Sequence, residues 1–306
     1  MEGRVSPSSG RYSWKCDKLK QITVLSGKGG TGKTTLVASF AVLAGNLVVT
    51  DCDVDAPNLH MLLGPVEMRR QEFKGSKVAV MDDSRCNQCG KCEEGCRFGA
   101  IKGLKIDPVL CEGCGLCVYL CPTGAIRLEE RTRGCAYISR TKYGFMSHAR
   151  LNPGEENSGK LVTLVRQNAS RIAEEEKLDL VLNDGPPGIG CPAIASASGV
   201  DLGIVVVEPT LSGIHDMERA LRLLRHFRVK SVVCINKHDL NAENTEEVER
   251  RCADDGLVVA GRISFDPVVT HAMVSGKPVL EHSPDSTVSR EIKEVWGKVL
   301  EALRVT

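Results

Sequence analysis

The decapeptide Ser26–Thr35, SGKGGTGKTT, constrains this chain more than any other stretch. It follows the apolar run Gln21–Leu25, which reads as a buried strand, and precedes the apolar helical face Leu36–Leu43. The pattern G-x-x-x-x-G-K-[ST] is filled by Gly27, Gly32, Lys33 and Thr34. Such a strand–loop–helix unit turns backbone N–H groups inward on an anion, and the following helix adds the positive end of its dipole. Gly27, Lys28, Gly29, Gly30, Thr31, Gly32, Lys33, Thr34 and Thr35 are therefore the candidate phosphate contacts. Lys33 is expected to bridge the β- and γ-phosphates, and the Thr34 hydroxyl to take a place on Mg²⁺.

Further buried strands follow at regular intervals, each delivering polar residues at its C-terminal end. Asn46–Thr50 ends in Asp51 and Asp53; Leu178–Leu182 ends in Asp184, with the Gly- and Pro-rich segment Gly185–Gly190 behind it. Leu202–Glu208 and Lys230–Asn236 complete the set, joined by an amphipathic helix around Met217–His226. Strands alternating with helices predict an α/β fold with a doubly wound, mostly parallel sheet, whose ligands bind at the C-terminal strand edge. Asp55 and Asn58 are expected to cap a helix Pro57–Leu63. The run Val288–Val305 places Ile292, Val295, Trp296, Val299, Leu300 and Leu303 at helical spacing with a mixed polar face, which predicts packing on the sheet and not membrane attachment.

Fourteen cysteines are many for 306 residues, and eight of them form a repeat. Cys86, Cys89, Cys92 and Cys96 have the spacing C-x₂-C-x₂-C-x₃-C; Cys111, Cys114, Cys117 and Cys121 recur 25 positions later, as does Gly99-Ala100-Ile101 in Gly124-Ala125-Ile126. Zinc also uses C-x₂-C pairs, but a third cysteine at the same step suits three corners of an iron–sulfur cube. In such runs the fourth cysteine serves the other cluster. The expected ligand sets are Cys86, Cys89, Cys92 and Cys121 for one [4Fe–4S] cluster, and Cys111, Cys114, Cys117 and Cys96 for the second.

The stretch Lys28–Thr35 resembles the deviant phosphate loop of the MinD/ParA/Mrp ATPases, and the cysteine run resembles a bacterial two-cluster ferredoxin. The likeness to a MinD-type ATPase with an inserted ferredoxin module extends from about Gln21 onward. It implies ATP and Mg²⁺ as cofactors and an ATP-dependent homodimer, or a heterodimer with a paralogue, in which Lys28 reaches the partner's nucleotide. It further implies that Asp51 holds Mg²⁺-bound water, Asp53 orients the attacking water, and Asp184 is the acid of the second switch. Asn236 falls at the adenine-recognition position, and Asp266 in the segment that closes over the base. Lys28, Lys33, Asp53 and Asp184 are on this basis the candidate catalytic set. Two departures stand out: Cys96 is followed by Arg97 where the ferredoxin pattern has proline, and Ser264 stands where the ATPases usually carry proline. Cys191, seven residues past Asp184, matches the offset of an intersubunit cluster ligand in the nitrogenase iron protein, but the second cysteine that protein uses has no counterpart here, and a small buried residue at a helix start is the favoured expectation.

Composition narrows the function classes. With 42% hydrophobic and 26% charged residues the chain reads as globular, and a net charge of +1 leaves no footprint for nucleic acid. Neither a signal peptide nor an 18-residue apolar run is evident, so a reducing cytoplasm and metal-bound thiols are expected in place of a secreted disulfide scaffold. The expected division is a disordered lead-in 1–20 with Trp14 and Cys16, an ATPase segment 21–77, the inserted module 78–131, and an ATPase segment 132–306. A loop at 153–160 containing Ser158-Gly159-Lys160 leads into a helix to about Glu175. The leading expectation is an ATP-gated redox protein with an unidentified partner. A cluster carrier and a spatial-positioning ATPase are its rivals; the Mrp-type carriers use a C-x-x-C pair in the ATPase half, which is absent outside the insert.

Overall fold

The computed structural model describes residues 18–155 and 159–305; Trp14, Cys16 and Ser158 lie outside the described residues. In chain order its elements are β1 (Lys20–Ser26), α1 (Lys33–Ala44), β2 (Leu47–Asp51), α2 (Leu59–Leu63) and β3 (Val66–Met81). Next come α3 (Lys91–Glu94), β4 (Ile101–Lys102), β5 (Lys105–Ile106), α4 (Leu116–Leu120), β6 (Ile126–Thr141) and β7 (Gly144–Leu151). The remainder is α5 (Gly159–Glu175), β8 (Leu180–Pro187), α6 (Cys191–Ala197), β9 (Leu202–Val207), α7 (Leu211–His226), β10 (Lys230–Asn236) and α8 (Ala242–Asp254). The chain closes with β11 (Val258–Ile263), α9 (Pro267–Val274), α10 (Val279–His282) and α11 (Thr287–Arg304).

Two compact units emerge. Among the described residues the first comprises 18–70, Ala136–Ala149 and 159–305; the second comprises Gln71–Cys135 and 150–155. The sheet runs β11-β10-β9-β1-β8-β2-β7-β6-β3, and from β11 to β7 every pairing is parallel. Side chains along these strands alternate between two cores, as the period of two demands for a sheet buried on both faces. Ile22, Val24, Ile204, Val206 and Leu182 share one core with α1 and α11, whereas Leu25, Val205 and Val207 face α6 and α7. Val48 and Val181 face α5. In α11 the stripe Ile292, Val295, Trp296, Val299, Leu300 and Leu303 is buried, and the Trp296 ring lies 4.6 Å from that of Phe40 on α1.

The second unit carries the 25-residue repeat in its backbone. α3 and α4 each begin after a glycine with positive φ, Gly90 at 74° and Gly115 at 79°, a conformation that costs glycine nothing. Gln88 and Gly113, also 25 apart, share it at 58° and 64°. The backbone N–H of Asp82 donates to Ala125 O at 2.8 Å and that of Asp107 to Ala100 O at 2.7 Å, so the two halves exchange the same bond. Ala79, Cys92, Ile101 and Ile126 form the unit's core, and the short β4–β5 hairpin pairs antiparallel. The run Lys77–Met81, legible as a short strand, is the end of the 16-residue β3, whose exposed Glu67, Arg69, Arg70 and Glu72 conceal it in the sequence.

Candidate nucleotide and metal sites

The phosphate loop of the first unit lies between β1 and α1, with Gly32 in the left-handed region (φ 90°) as the residue before the helix. Gly32 also has no room for a side chain, since a Cβ would stand 2.4 Å from Asn236 Nδ2. A Cβ on Gly27 would meet the Asp216 Cβ at 2.0 Å. Nothing lies within 4 Å of the Cβ positions of Gly29 and Gly30, so the loop is open on that side. Lys33 is buried, and its Nζ donates to Ser26 Oγ at 2.8 Å. Burial lowers the Lys33 pKa, with Asp184 and Asp53 opposing. One cleft is lined by Gly29, Gly30, Lys33, Thr34, Asp53 and Asn236, and Phe265, Asp266 and Met273 reach it from the C-terminal part of the unit.

Asp51 and Asp184 face each other across the β2–β8 pairing and are fully buried. Burial pushes both carboxyls up; at Asp51 the proximity of Asp184 adds to it. At Asp184 Thr34 and Lys33 pull the other way, yet neither carboxylate oxygen has a hydrogen bond of good geometry. The Thr31 hydroxyl is likewise buried without a partner. Two orphaned carboxylate oxygens and an orphaned hydroxyl beside a buried lysine and an open glycine loop fit a Mg²⁺–nucleotide site, which would supply the missing partners.

Several predicted residues have additional tasks. Asp51, and not Asp55, receives the first N–H groups of the α2 region: Leu59 N donates to Oδ2 and Asp53 N to Oδ1, each at 3.2 Å. The helix accordingly starts at Leu59, and its cap Asn58 contributes no side-chain bond. Asp53 is half-buried on the cleft, its carboxyl raised by burial and lowered by Lys33. Asn236 Nδ2 donates to Thr31 O at 2.8 Å, tying β10 to the loop. Asp266 caps α9 through Val268 N at 2.8 Å. Ser264 is bound through both N and Oγ to Glu291, at 2.8 and 2.7 Å. Lys28 is folded back, its Nζ 3.3 Å from Glu208 Oε2 and 3.4 Å from Thr210 Oγ1. Lys237 pairs with the other oxygen of Glu208. Sequence reasoning missed Ser26 and Glu208 as loop partners; the place of Glu208 just beyond β9, at the C-terminal sheet edge, was the available signal. Thr35 Oγ1 lies 3.7 Å from Met273 Sδ.

In the second unit Cys96, Cys111, Cys114 and Cys117 line one cavity together with Ala79, Ile101 and Leu128. Burial pushes the Cys117 thiol up, and Cys111 and Cys114 are close enough to add to it; Cys92 is raised in the same way by burial, Cys86 and Cys89. Backbone N–H groups already point at two sulfurs, Ala79 N at Cys111 Sγ (3.4 Å) and Ala125 N at Cys121 Sγ (3.3 Å). Among the described residues no three His, Cys, Asp or Glu side chains converge tightly enough to chelate a single ion. A purely thiol donor set spread round a shared cavity fits a cube, which stands between its ligands and holds them farther apart than one ion does. Cys191 is exposed, not buried, at the start of α6 in the first unit.

Residues 22–279 match the family model described as the CobQ/CobB/MinD/ParA nucleotide binding domain. An uncharacterized protein of Methanocaldococcus jannaschii is 36% identical over 92% of this chain and 97% of its own length. An iron–sulfur cluster carrier protein of Aquifex aeolicus is 25% identical, over 92% of this chain and 68% of that protein. Among solved structures, the septum site-determining protein MinD of Pyrococcus horikoshii complexed with Mg-ADP superposes with a TM-score of 0.58 at 17% identity, covering 92% of this chain and 96% of that one.

Proposed function

Because this chain belongs to the CobQ/CobB/MinD/ParA nucleotide-binding family, we propose that it is an ATPase bearing two [4Fe–4S] clusters, in which MgATP controls electron transfer through them. The observation that carries the reading is the coexistence of two sites in one chain: the orphaned Asp184 carboxylate beside Lys33, and the repeated cysteines with four thiols round one cavity. Lys33 would neutralise the β- and γ-phosphates, and Thr34, Asp51 and Asp184 would hold Mg²⁺ directly or through water. Asp53, on the cleft, would orient the attacking water; hydrolysis here is positioning and charge stabilisation, with no covalent chemistry asked of the protein. Asn236 and Asp266 would face the base. Lys28 would have to leave Glu208 to reach a partner subunit's nucleotide, so assembly on ATP exchanges one ion pair for another.

The clusters would be held by Cys86, Cys89, Cys92 and Cys121 and by Cys111, Cys114, Cys117 and Cys96, and would supply one-electron chemistry. Amide donors to Cys111 and Cys121 would stabilise the more negative reduced state and raise its potential. Anaerobic reconstitution tests this. We expect about eight irons per chain with matching sulfide, together with Mg²⁺-dependent ATP hydrolysis. One or two tightly held zinc ions in their place would sink the cluster assignment.

The relative named an iron–sulfur cluster carrier favours a second reading, in which the clusters are cargo. Transfer to an apo-acceptor, measured with and without MgATP, separates the two. A carrier loses iron in step with nucleotide; a redox protein keeps it.

A further inference from the structure

Arg166, on α5, faces the C-terminal end of α6 and the start of β1. Its Nη1 donates to Ala195 O at 2.8 Å and to Ser198 O at 2.6 Å, at the C-terminal end of α6, and its Nη2 donates to Gln21 Oε1 at 2.8 Å on β1. The Thr23 hydroxyl of β1 holds the carbonyl between them, Ser196 O, at 2.9 Å. The C-terminal carbonyls of α6 are thus gripped by side chains from two neighbouring elements. Among the described residues the opposite end of α6 takes no side-chain cap hydrogen bond, and its Cys191 carbonyl packs against Gly159 of α5. Its cap is Gly190, with no side chain to offer, and Cys191 is exposed.

α6 begins immediately after the short segment 188–190 that follows β8, and it is only seven residues long. Side chains that hold the far end of so short a helix help to set where its near end, and the segment joined to it, lie. Arg166 also lies within electrostatic reach of Cys52, the residue after Asp51. The Cys52 N–H in turn donates to Asp184 O at 2.9 Å. The hydrogen bonds of this guanidinium go to α6 and β1.

We propose that Arg166 is a positioning residue for ATP hydrolysis: by holding the C-terminal end of α6 it sets the path of the segment 188–190 that joins α6 to β8, the strand that carries Asp184, while making no contact with nucleotide. This rests on the ATPase reading. Its forked geometry is what the task needs, since three acceptors on two elements are bound by two nitrogens of one planar group. Lysine carries the charge but reaches only part of that set.

Arg166→Met and Arg166→Lys test it in the full, reconstituted chain. We expect the KM for ATP to stay within about threefold, kcat to fall about tenfold to hundredfold in Arg166→Met, and Arg166→Lys to recover part of the loss. Hydrogen exchange gives a second readout that needs no turnover. In the wild type a non-hydrolysable MgATP analogue should slow exchange across 26–35 and 185–198; in Arg166→Met the protection should remain at 26–35 and be lost at 185–198. A lower melting temperature with unchanged kcat would reduce Arg166 to a structural staple and overturn the proposal. A rise in KM that accounts for the whole loss would overturn it too. If the wild type hydrolyses nothing, the ATPase reading fails by itself, and equal protection of 185–198 in wild type and variant would then refute the role of Arg166. Arg166→Lys keeps both assays open if Arg166→Met does not fold.

Discussion

Replacing Asp184 by Asn should stabilise the nucleotide-free protein and abolish its response to Mg²⁺. Asp184 is 1% exposed, and neither oxygen has a hydrogen bond of good geometry, although Thr34 and Lys33 favour its charged form. A buried unsatisfied polar group costs about 1–3 kcal/mol, more when charged. The amide retains the shape and is itself a buried unpaired polar group, so it relieves only the charge-dependent part of that cost and forgoes the attraction of Lys33. A gain on the order of 1 kcal/mol is expected at pH 8, or about 2–4 °C in melting temperature for a unit of this size. The pH dependence fixes the sign. A carboxyl whose folded pKa lies above its unfolded value costs stability once pH exceeds the unfolded value near 3.9, and the cost reaches its full size above the folded pKa. As pH falls the wild-type Asp184 takes up its proton, and the advantage of Asn shrinks toward zero. Adding Mg²⁺ and ADP should stabilise the wild type at pH 8 and leave the variant with the nucleotide contribution alone. Thermal unfolding of both proteins from pH 5 to pH 8, with and without Mg²⁺-nucleotide, makes the comparison. If Asp184→Asn melts below the wild type at pH 8 without nucleotide, or keeps the full Mg²⁺ response, the assignment of Asp184 as a strained metal acid is wrong.

Other consequences are open to measurement. Gly27→Val forces a side chain into Asp216, a contact of 2.0 Å for the Cβ alone, so the loop must shift and titration should show nucleotide affinity at least about tenfold lower, with about 1–3 kcal/mol lost in stability. Cys96→Ser should halve the reconstituted iron from about eight to about four per chain, whereas Cys191→Ser should leave the count unchanged; iron analysis reads both, and a fall in the second would place metal at Cys191. Trp296→Ala removes the ring packed on Phe40 and should cost about 3–5 kcal/mol in denaturant unfolding.

Much of the architecture was legible because parallel strands buried on both faces write themselves as continuous apolar runs. Ile22–Leu25, Val48–Val49 and Leu202–Val207 need no tertiary information to be recognised. The internal repeat was equally plain, and it reappears in the paired φ angles of Gln88 and Gly113. What the sequence concealed falls into two physical kinds. β3 is largely solvent-exposed along Val66–Glu72, so its charges mask the alternation that marks a half-buried strand. The other kind is polar pairing between residues distant in sequence. Asp51 takes the Leu59 N–H although Asp55 is nearer along the chain, and Lys28 finds Glu208 across 180 positions. Arg166 belongs here as well, since its acceptors lie on β1 and α6 and nothing in its helical surroundings marks it out.

Nucleotide at the phosphate loop is proposed to govern electron transfer from the two clusters. The most direct test is stopped-flow oxidation of the reduced, reconstituted protein by a small acceptor, with and without MgATP, in wild type and in Lys28→Ala. MgATP should change the oxidation rate of the wild type, and Lys28→Ala, which loses the side chain held by Glu208, should remove that change while keeping the clusters. Identical rates with and without nucleotide in the wild type, with the clusters intact and ATP bound, would contradict the proposal.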